Sequence, residues 1–388
     1  MHRFFEYFEI EYSPELDGYY QAAERMVAEE KDAIFRFEHL GLFTYLSKPL
    51  ATIRDQLLCD DRNLLYCYFL HVVIQSNDMP LIERICIPKR SAESELYDTL
   101  PLFALLQEVP AMRKKLADKG VPADVIDATC GMFENQIQDH IDLYGRIGIS
   151  VYVTWMLMFI KGAILRIGRF NFELQKAGDF AVFCSDNAVC IMPDGERYHR
   201  SGRVLGTIGC EDVDGAFDAV LTETEAYYEG YPIVDGLCTS QPIRLDKKNW
   251  KKVMGKGDPI VSVHIPSGGP LNYESDSADF ARAEEIITKA LGEFRLFYCN
   301  SWLLDPQLKK ILGKETNLTR FADRFIRFPA KSFGKSVFTY LYLTRNNDPA
   351  LLPERTSMQR AVKRHLMAGG HIYGAKGIVL KGAYSNGK

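Results

Sequence analysis

The hydrophobic and polar positions in the first half of the chain follow helical periods. Residues 57–74 are apolar nearly throughout, which is typical of the central helix of a bundle. Residues 122–145 place apolar side chains, including Val125 and Ile137, on one helical face. A proline opens this segment and a glycine closes it, so the pattern predicts one long helix. The first half is therefore predicted to be a helical domain.

The pattern changes near residue 162 to short runs of β-prone residues. Residues 169–174, 181–184 and 189–192 are three such runs, and turn-forming residues separate them. This spacing predicts a meander of antiparallel strands.

Residues 260–271, IVSVHIPSGGPL, carry the most distinct local pattern of the chain. Ile260 to Ile265 alternates as a strand, and Pro266 to Pro270 reads as a tight turn. Asp276 and Ser277 are expected to cap a helix whose apolar stripe follows them. The segment is thus predicted to be a buried strand that opens through a glycine turn into a helix.

The elements predicted after this segment complete a mixed sheet. Strands are expected at 294–299, at 337–343 and near 378–380, with a short helix in 306–312 between the first two. Thr356 or Ser357 is expected to cap a further helix that ends at two glycines. Two adjacent strands joined by a helix can be parallel, so we predict an α+β fold with a mixed sheet flanked by helices.

Length and composition set the domain count and the class of protein. A chain of 388 residues is long for one core, so we expect two domains, a helical one at 1–161 and a second at 162–388. The net charge of -4 argues against nucleic acid as the main partner. The most apolar window, 151–160, is too short to span a membrane. Nine scattered cysteines indicate a reducing, cytoplasmic location, and they show no metal-ligand spacing.

Four motifs of the chain resemble a known family. They lie at 165–174 (LRIGRFNFEL), 263–271 (VHIPSGGPL), 297–308 (FYCNSWLLDPQL) and 357–371 (SMQRAVKRHLMAGGH). They are similar to a bacterial family of acyltransferases with a helical N-terminal domain and a GNAT-like C-terminal domain. The resemblance implies acetyl-CoA or another acyl-CoA as co-substrate, no metal, and a small-molecule or peptide amine as acceptor.

The resemblance also assigns residues to the acyl-CoA. In GNAT enzymes a splayed fourth strand faces the pantetheine arm, and the following turn holds the diphosphate. Carried over to this sequence, Val263 and Ile265 would face pantetheine. The cradle would be formed by Ser267, Gly268, Gly269 and Leu271. The turn departs from the family pattern, because it contains two prolines, which lack N–H groups, and no arginine or lysine.

His264 is the candidate general base, since an imidazole titrates near neutral pH. Asn300 and Ser301 end the next predicted strand and could hydrogen-bond the thioester carbonyl. A nucleophilic pair of Cys299 with His264 is a further alternative. Glu223 and Glu225 are alternative bases.

Arg166, Arg169 and Glu173 are expected to form surface or interdomain ion pairs. Two functions stay open at this point. One is an acyl-CoA-dependent N-acyltransferase, and the other is a non-catalytic GNAT-like protein that binds a ligand or partner.

Overall fold

A computed structural model describes residues 1–30, 35–85, 95–149, 152–344 and 346–384 of the chain. The chain divides into two compact units, Met1–Arg166 and Ile167–Lys388. This division falls inside the strand Ile164–Ile167. The domain boundary predicted between residues 161 and 162 stays a prediction.

The described part of the first unit is helical. Two short 3-10 helices, Glu38–Leu40 and Glu95–Thr99, accompany its α-helices. The α-helices are α1 (His2–Tyr7), α2 (Leu16–Glu30), α3 (Ser47–Leu58), α4 (Asp61–Ser76), α5 (Met79–Ile85), α6 (Leu100–Gln107), α7 (Val109–Asp118), α8 (Ala123–Cys130), α9 (Met132–Tyr144) and α10 (Val153–Ile160).

Local sequence explains where the central helices of this unit begin and end. The Asp60 side chain caps α4 by accepting a hydrogen bond from the Arg62 amide at 2.8 Å. Asn77 ends α4 in the left-handed conformation. Residues 100–106 of α6 are buried without exception, as is typical of a helix inside a bundle. The single helix predicted over 122–145 is two helices, α8 and α9, which meet at Gly131.

The second unit combines several β-sheets with helices. Its helices are α11 (Tyr273–Ala290), α12 (Leu308–Leu312), α13 (Asn317–Ala322), α14 (Ser336–Leu341) and α15 (Ser357–Met367). The strands, counted from the boundary strand, are β1 (Ile164–Ile167), β2 (Phe170–Lys176), β3 (Phe180–Cys184), β4 (Val189–Pro193), β5 (Glu196–Tyr198), β6 (Phe217–Ala219), β7 (Thr222–Glu223), β8 (Tyr227–Gly230), β9 (Ile233–Val234), β10 (Leu237–Cys238), β11 (Ile243–Asp246), β12 (Lys251–Met254), β13 (Pro259–His264), β14 (Leu296–Ser301), β15 (Ile326–Pro329) and β16 (Ala375–Leu380).

The largest sheet is mixed, as predicted. Its strand order is β1-β2-β13-β14-β16-β15. β13 and β14 are parallel, and α11 connects them. β13 is antiparallel to β2, and β16 is antiparallel to both β14 and β15. A helical first part followed by this helix-flanked sheet confirms the predicted α+β class.

Aromatic side chains hold α11 against one face of the large sheet. Phe280 of α11 is fully buried and contacts the rings of Phe170, Phe172 and Phe297 at centroid distances of 5.0–5.7 Å. Edge-on contacts of this kind add to the free energy gained from burying the rings. Phe280 is therefore the centre of the helix-facing core.

The opposite face of the large sheet packs against a smaller one. The smaller sheet has the order β12-β3-β4. Phe180 and Val182 from the smaller sheet share one buried cluster with Ile260, Leu296 and Ile378 from the large sheet. The large sheet is therefore covered on both faces over the amino-terminal half of β13.

Two further local predictions are wrong. The strand expected at 337–343 is helix α14, whose buried side chains Val337 and Phe338 are adjacent in sequence while Tyr340 is exposed. Burial on one helical face overrides the β propensity of these residues. The cap predicted at Asp276 and Ser277 lies inside α11, which begins at Tyr273 and is capped by Asn272.

We expect that Phe280→Ala lowers the free energy of unfolding of the second unit by about 3–5 kcal/mol, because it leaves a cavity among aromatic rings. Urea denaturation followed by circular dichroism measures the loss. Tyr340→Ala is the control, since this ring is 69% exposed and its removal should cost little. A loss below about 1 kcal/mol in Phe280→Ala would contradict the central role of this ring.

Candidate functional site

The parallel strands β13 and β14 pair at two positions and then part. Val261 lies opposite Phe297, and Ser262 lies opposite Tyr298. Each strand stays paired with its outer neighbour, β2 or β16, to its last residue. Over this described stretch no further pairing joins the two strands, so an opening lies between their carboxyl-terminal halves.

Val263 presents its backbone to this opening. The Pro259 carbonyl accepts a hydrogen bond at 2.8 Å from the Arg295 amide, which lies on the β14 side. Backbone groups alternate in direction along a strand, so the N–H and C=O of Val263 also point towards β14. Its side chain is only 2% exposed and lies on the face of Phe172, its partner in β2. The backbone of Val263 is thus the part that an extended ligand in the opening could contact.

His264 forms a pair with Glu173 on the neighbouring strand. The imidazole Nε2 lies 2.8 Å from Oε2 of Glu173. The Glu173 side chain is 14% exposed and that of His264 is 33% exposed. A carboxylate at this distance orients the imidazole ring. Glu173 is therefore a site residue that the sequence interpretation, which assigned it to a surface or interdomain pair, missed.

The pair lies on a polar face of the large sheet. Glu173 is opposite Ser262 and His264 is opposite Asn171, so all four side chains lie on the same side of β2 and β13. Asn171 and Ser262 are buried. This polar face begins where the apolar cluster shared with the smaller sheet ends.

The two other predicted polar residues differ in their positions. The register Ser262–Tyr298, continued along β14, places the exposed Asn300 on the face of His264. Ser301 lies on the opposite face, and its hydroxyl oxygen accepts a hydrogen bond from the Leu303 amide at 3.2 Å. This bond caps the 3-10 helix Trp302–Leu304. Of the two, Asn300 is the better placed to act together with His264.

A nucleophilic pair of Cys299 with His264 does not fit the structure. Cys299 is 1% exposed, and burial raises the pKa of its thiol to about 12. Its position in β14 puts its side chain on the face opposite to His264. A buried thiol with such a pKa supplies almost no thiolate at neutral pH.

Glu223 does not fit the role of an alternative base. Hydrogen bonds from Lys247 and Lys252, each at 2.7 Å, hold the pKa of its carboxyl below the ordinary value. A carboxylate held in its charged form by two lysines is a weak proton acceptor. Glu225 is exposed in the loop between β7 and β8.

The turn after β13 has the backbone conformation that its glycines permit. Gly268 and Gly269 both have positive φ, +80° and +70°, which side chains disfavour. Ser267 and both glycines are exposed, whereas Leu271 is buried at the end of the turn. Ile265 is half-buried directly after the strand. Five of the six residues predicted to bind the cofactor thus line the strand end and the turn, and Leu271 anchors the turn.

Arg169 brings to this turn the positive charge that the turn's own sequence lacks. Its Nη2 donates a hydrogen bond to the Gly269 carbonyl at 3.2 Å. Its Nε and Nη1 are buried and have no hydrogen-bond partner, and burial lowers the pKa of the guanidinium. The predicted surface or interdomain ion pair is therefore wrong for Arg169 too.

The hairpin that carries Arg169 is fixed to α11. The Arg169 amide donates a hydrogen bond to Oδ2 of Asp279 at 2.7 Å. Gly168 precedes it with a φ of +55°, and an added Cβ would overlap the Asp279 carboxylate. Only glycine fits this close approach. The position of Arg169 next to the turn therefore depends on α11.

The first turn of α11 satisfies its own amides. The Asn272 side chain accepts hydrogen bonds from the amides of Glu274 and Ser275 at 3.1 and 3.3 Å. Asp276 accepts one from the Asn272 amide at 3.1 Å, and burial raises the pKa of its carboxyl. Two acidic side chains in the first turn compensate the positive end of the helix dipole. An anion at the turn would consequently depend on the turn amides and on Arg169.

The described residues show neither a metal site nor a membrane-spanning helix. Within them, no group of three or more histidine, cysteine, aspartate or glutamate side chains is arranged to hold a metal ion. None of the helices in these parts of the chain is both long and apolar enough to cross a membrane.

Comparisons with known proteins identify the family. Residues 164–379, more than half of the chain, match the GNAT-like C-terminal domain. Residues 66–162 match the N-acyltransferase N-terminal domain. The chain therefore belongs to the family of proteins with a GNAT-like C-terminal domain, which confirms the predicted resemblance. No curated protein matches it.

Solved structures of similar fold are acyltransferases. One is an acyltransferase in complex with decanoyl-CoA and teicoplanin, with a TM-score of 0.57 and 19% identity over 84% of this chain and 80% of that one. Another, at 17% identity and a TM-score of 0.56, is in complex with decanoyl-CoA and covers 83% of this chain and 78% of its own. At this level of identity the similarity establishes the fold.

We expect iodoacetamide at pH 8 to leave Cys299 unmodified in the folded protein, because its thiol stays protonated and buried. The exposed Cys59 serves as the internal control and should react. Peptide mapping by mass spectrometry reads both sites, and unfolding in urea should make Cys299 reactive. Equal modification of both cysteines in the folded protein would contradict this expectation and would make Cys299 a candidate nucleophile again.

Proposed function

We propose that the protein is an acyl-CoA-dependent N-acyltransferase that acts on a small-molecule or peptide amine. The observation that carries this proposal is the opening between β13 and β14, with the His264–Glu173 pair at its polar face. The family assignment and the acyl-CoA complexes of the structural neighbours support it. The eight described cysteines are free thiols, in agreement with a cytoplasmic location.

The opening suits the extended arm of an acyl-CoA. A pantetheine chain carries amide groups that can hydrogen-bond a strand edge as a further strand would. The backbone of Val263 points into the opening, and Ile265 follows it. The thioester would then lie near the carboxyl ends of both strands, where Asn300, on the face of His264, could donate to its carbonyl oxygen. Ser301 lies on the opposite face and caps the following 3-10 helix.

The diphosphate would lie at the turn formed by Ser267, Gly268, Gly269 and Leu271. Turn amides bind phosphate oxygens, and a nearby guanidinium strengthens such binding. Arg169 is placed for this role by its bond to the Gly269 carbonyl.

His264 would take the proton of the acceptor amine, and Glu173 would position the ring. Nε2 of the ring lies 2.8 Å from the Glu173 carboxylate, which would orient the imidazole towards the amine. As the amine attacks the thioester, the developing imidazolium is stabilised by the carboxylate.

A non-catalytic ligand-binding protein is the second candidate. The observation that favours it is the first turn of α11, where Asn272, Glu274 and Asp276 leave little positive potential for a diphosphate. A protein of this kind would bind its ligand in the same opening without acyl transfer.

Binding of acyl-CoA is tested by thermal unfolding with CoA, acetyl-CoA, octanoyl-CoA and decanoyl-CoA. We expect saturable stabilisation by at least one of them, about 5 °C or more near 100 times the Kd. Gly268→Trp should abolish the shift, because the indole would fill the turn.

Gly257→Trp is the matched control for this variant. Gly257 has a φ of +82° against +80° for Gly268, and an added Cβ meets nothing within 4 Å at either position. Both variants therefore carry the same backbone strain, and only the one in the turn should lose the ligand. No shift with any of the four CoA compounds at millimolar concentration would reject the acyltransferase proposal.

The roles of His264 and Glu173 are tested once an amine acceptor is found. We expect His264→Ala to lower kcat about 10²- to 10⁴-fold with little change in CoA binding, which is the usual range for loss of a general base. Glu173→Gln should lower kcat less than His264→Ala does, because the base remains but loses the carboxylate that orients its ring. Full activity of His264→Ala would show that His264 is not the general base.

A further inference from the structure

A second group of reactive side chains lies at the tip of the hairpin after β5. The His199 amide donates a hydrogen bond to the Arg203 carbonyl at 2.8 Å, and Tyr198 forms a bridge with Val204. Gly202 has a φ of +80°, and an added Cβ would overlap the backbone carbonyl of Cys238. The tip therefore has one fixed shape that only glycine at this position allows.

Three side chains at this tip are arranged as an acid, a base and a hydroxyl. Nε2 of His199 lies 3.2 Å from Oδ2 of Asp212. Nδ1 of the same ring lies 2.8 Å from the hydroxyl oxygen of Ser201. This order, carboxylate to imidazole to hydroxyl, is the one that activates a serine nucleophile.

The hydrogen bonds determine which ring nitrogen can act as the base. The backbone amide of Ser201 also donates to Nδ1 of His199, at 3.2 Å. Nδ1 is therefore the acceptor, and the ring proton resides on Nε2, where it faces Asp212. In this tautomer Nδ1 can take the proton of the Ser201 hydroxyl.

The base and the nucleophile differ in their exposure to solvent. His199 is 6% exposed, whereas Ser201 is on the surface. The hydrogen bond from His199, together with the charge of Arg200, holds the pKa of the Asp212 carboxyl below its ordinary value. Arg200 contacts the other oxygen of this carboxylate at 3.5 Å. The carboxylate is thus charged and oriented, while the hydroxyl is open to a substrate.

We propose that Ser201, His199 and Asp212 form a second reactive site, in which Ser201 accepts an acyl group from an activated ester or thioester. Ser201 is the nucleophile, His199 is the base, and Asp212 is a positioning residue that acts through the ring.

The reaction proceeds in two balanced steps. The Ser201 oxygen bonds to the carbonyl carbon while its proton passes to Nδ1 of His199. The bond from the carbonyl carbon to the leaving sulfur or oxygen breaks, and the imidazolium returns the proton to the leaving group. Water then attacks the carbonyl carbon of the acyl-serine and gives a proton to Nδ1 of His199. The bond from that carbon to the Ser201 oxygen breaks, and the imidazolium returns the proton to this oxygen, so a carboxylic acid and the free hydroxyl are released.

The backbone around Ser201 limits the class of substrate. The amides of Ser201 and Gly202 donate to Nδ1 and to the carbonyl of His199, so neither is free to stabilise an oxyanion. Loss of one such donor costs about 10²- to 10³-fold in rate in enzymes that use them. The site therefore suits thioesters and phenyl esters, which have good leaving groups, rather than amides.

The test uses the full chain with a fluorophosphonate probe and with 4-nitrophenyl acetate. Neither reagent contains CoA, so the result is independent of acyl-CoA binding at the glycine turn. Intact mass and peptide mapping should show one phosphonyl group on Ser201. Ser201→Ala should abolish it, and Ser240→Ala, which removes another exposed serine, should leave it unchanged.

Two further variants separate activation from local structure. We expect His199→Gln to lower the labelling rate about 10²-fold or more. Asp212→Asn changes a half-exposed side chain, so the fold should be kept. It should slow labelling and change the dependence of the labelling rate on pH, because the ring loses the carboxylate that orients it. Circular dichroism confirms that each variant is folded.

The proposal is overturned by either of two results. One is the absence of an adduct on Ser201 at probe concentrations that label a serine esterase completely. The other is labelling of Ser201 at equal rates, and with the same pH profile, in the parent chain and in Asp212→Asn. The second outcome would show that the three side chains only fix the shape of the hairpin tip.

Discussion

The alternation of side chains along β13 is the constraint on which the rest of the second unit depends. Val261 and Val263 face the aromatic core around Phe280, while Ser262 and His264 face the other side of the sheet. A shift of the strand register by one residue would exchange the two sets and bury the imidazole against α11. The apolar face thereby fixes the position of the polar one.

The parting of β13 from β14 turns this polar face into a site. Pairing with β2 and β16 holds each strand to its end, so the opening does not leave either strand loose. A rigid opening lowers the entropic cost of ordering a ligand within it.

Charge is arranged unusually around the glycine turn. Arg169 comes from a hairpin far away in sequence, and α11 carries two acids, Glu274 and Asp276, in its first turn. Asp279 serves two purposes, because it holds the hairpin through a backbone amide and thereby places the guanidinium. The turn is therefore next to one positive charge, that of Arg169, and to the amino-terminal end of α11, whose helix dipole is compensated by acidic side chains.

The sequence by itself determined the elements whose signals are local. Strand β13, the glycine turn and the capped helix α15 follow from alternation, glycine content and the cap expected at Thr356 or Ser357, because each depends on near neighbours in the chain. His264 was predicted as the base from the chemistry of imidazole at a strand end next to a glycine turn. Its role and those of the other chosen site residues remain predictions.

Only the tertiary structure decided which distant residues meet. Glu173 reaches His264 because β2 pairs with β13, and no local pattern specifies which strands become neighbours. The contact of Arg169 with the glycine turn likewise depends on which elements become neighbours. The strand expected where α14 forms has a different cause, because burial on one helical face outweighs the β propensity of its residues. The sequence shows which side chains have suitable chemistry. Which of them become neighbours in a site depends on the pairing and packing of strands that are distant in the chain.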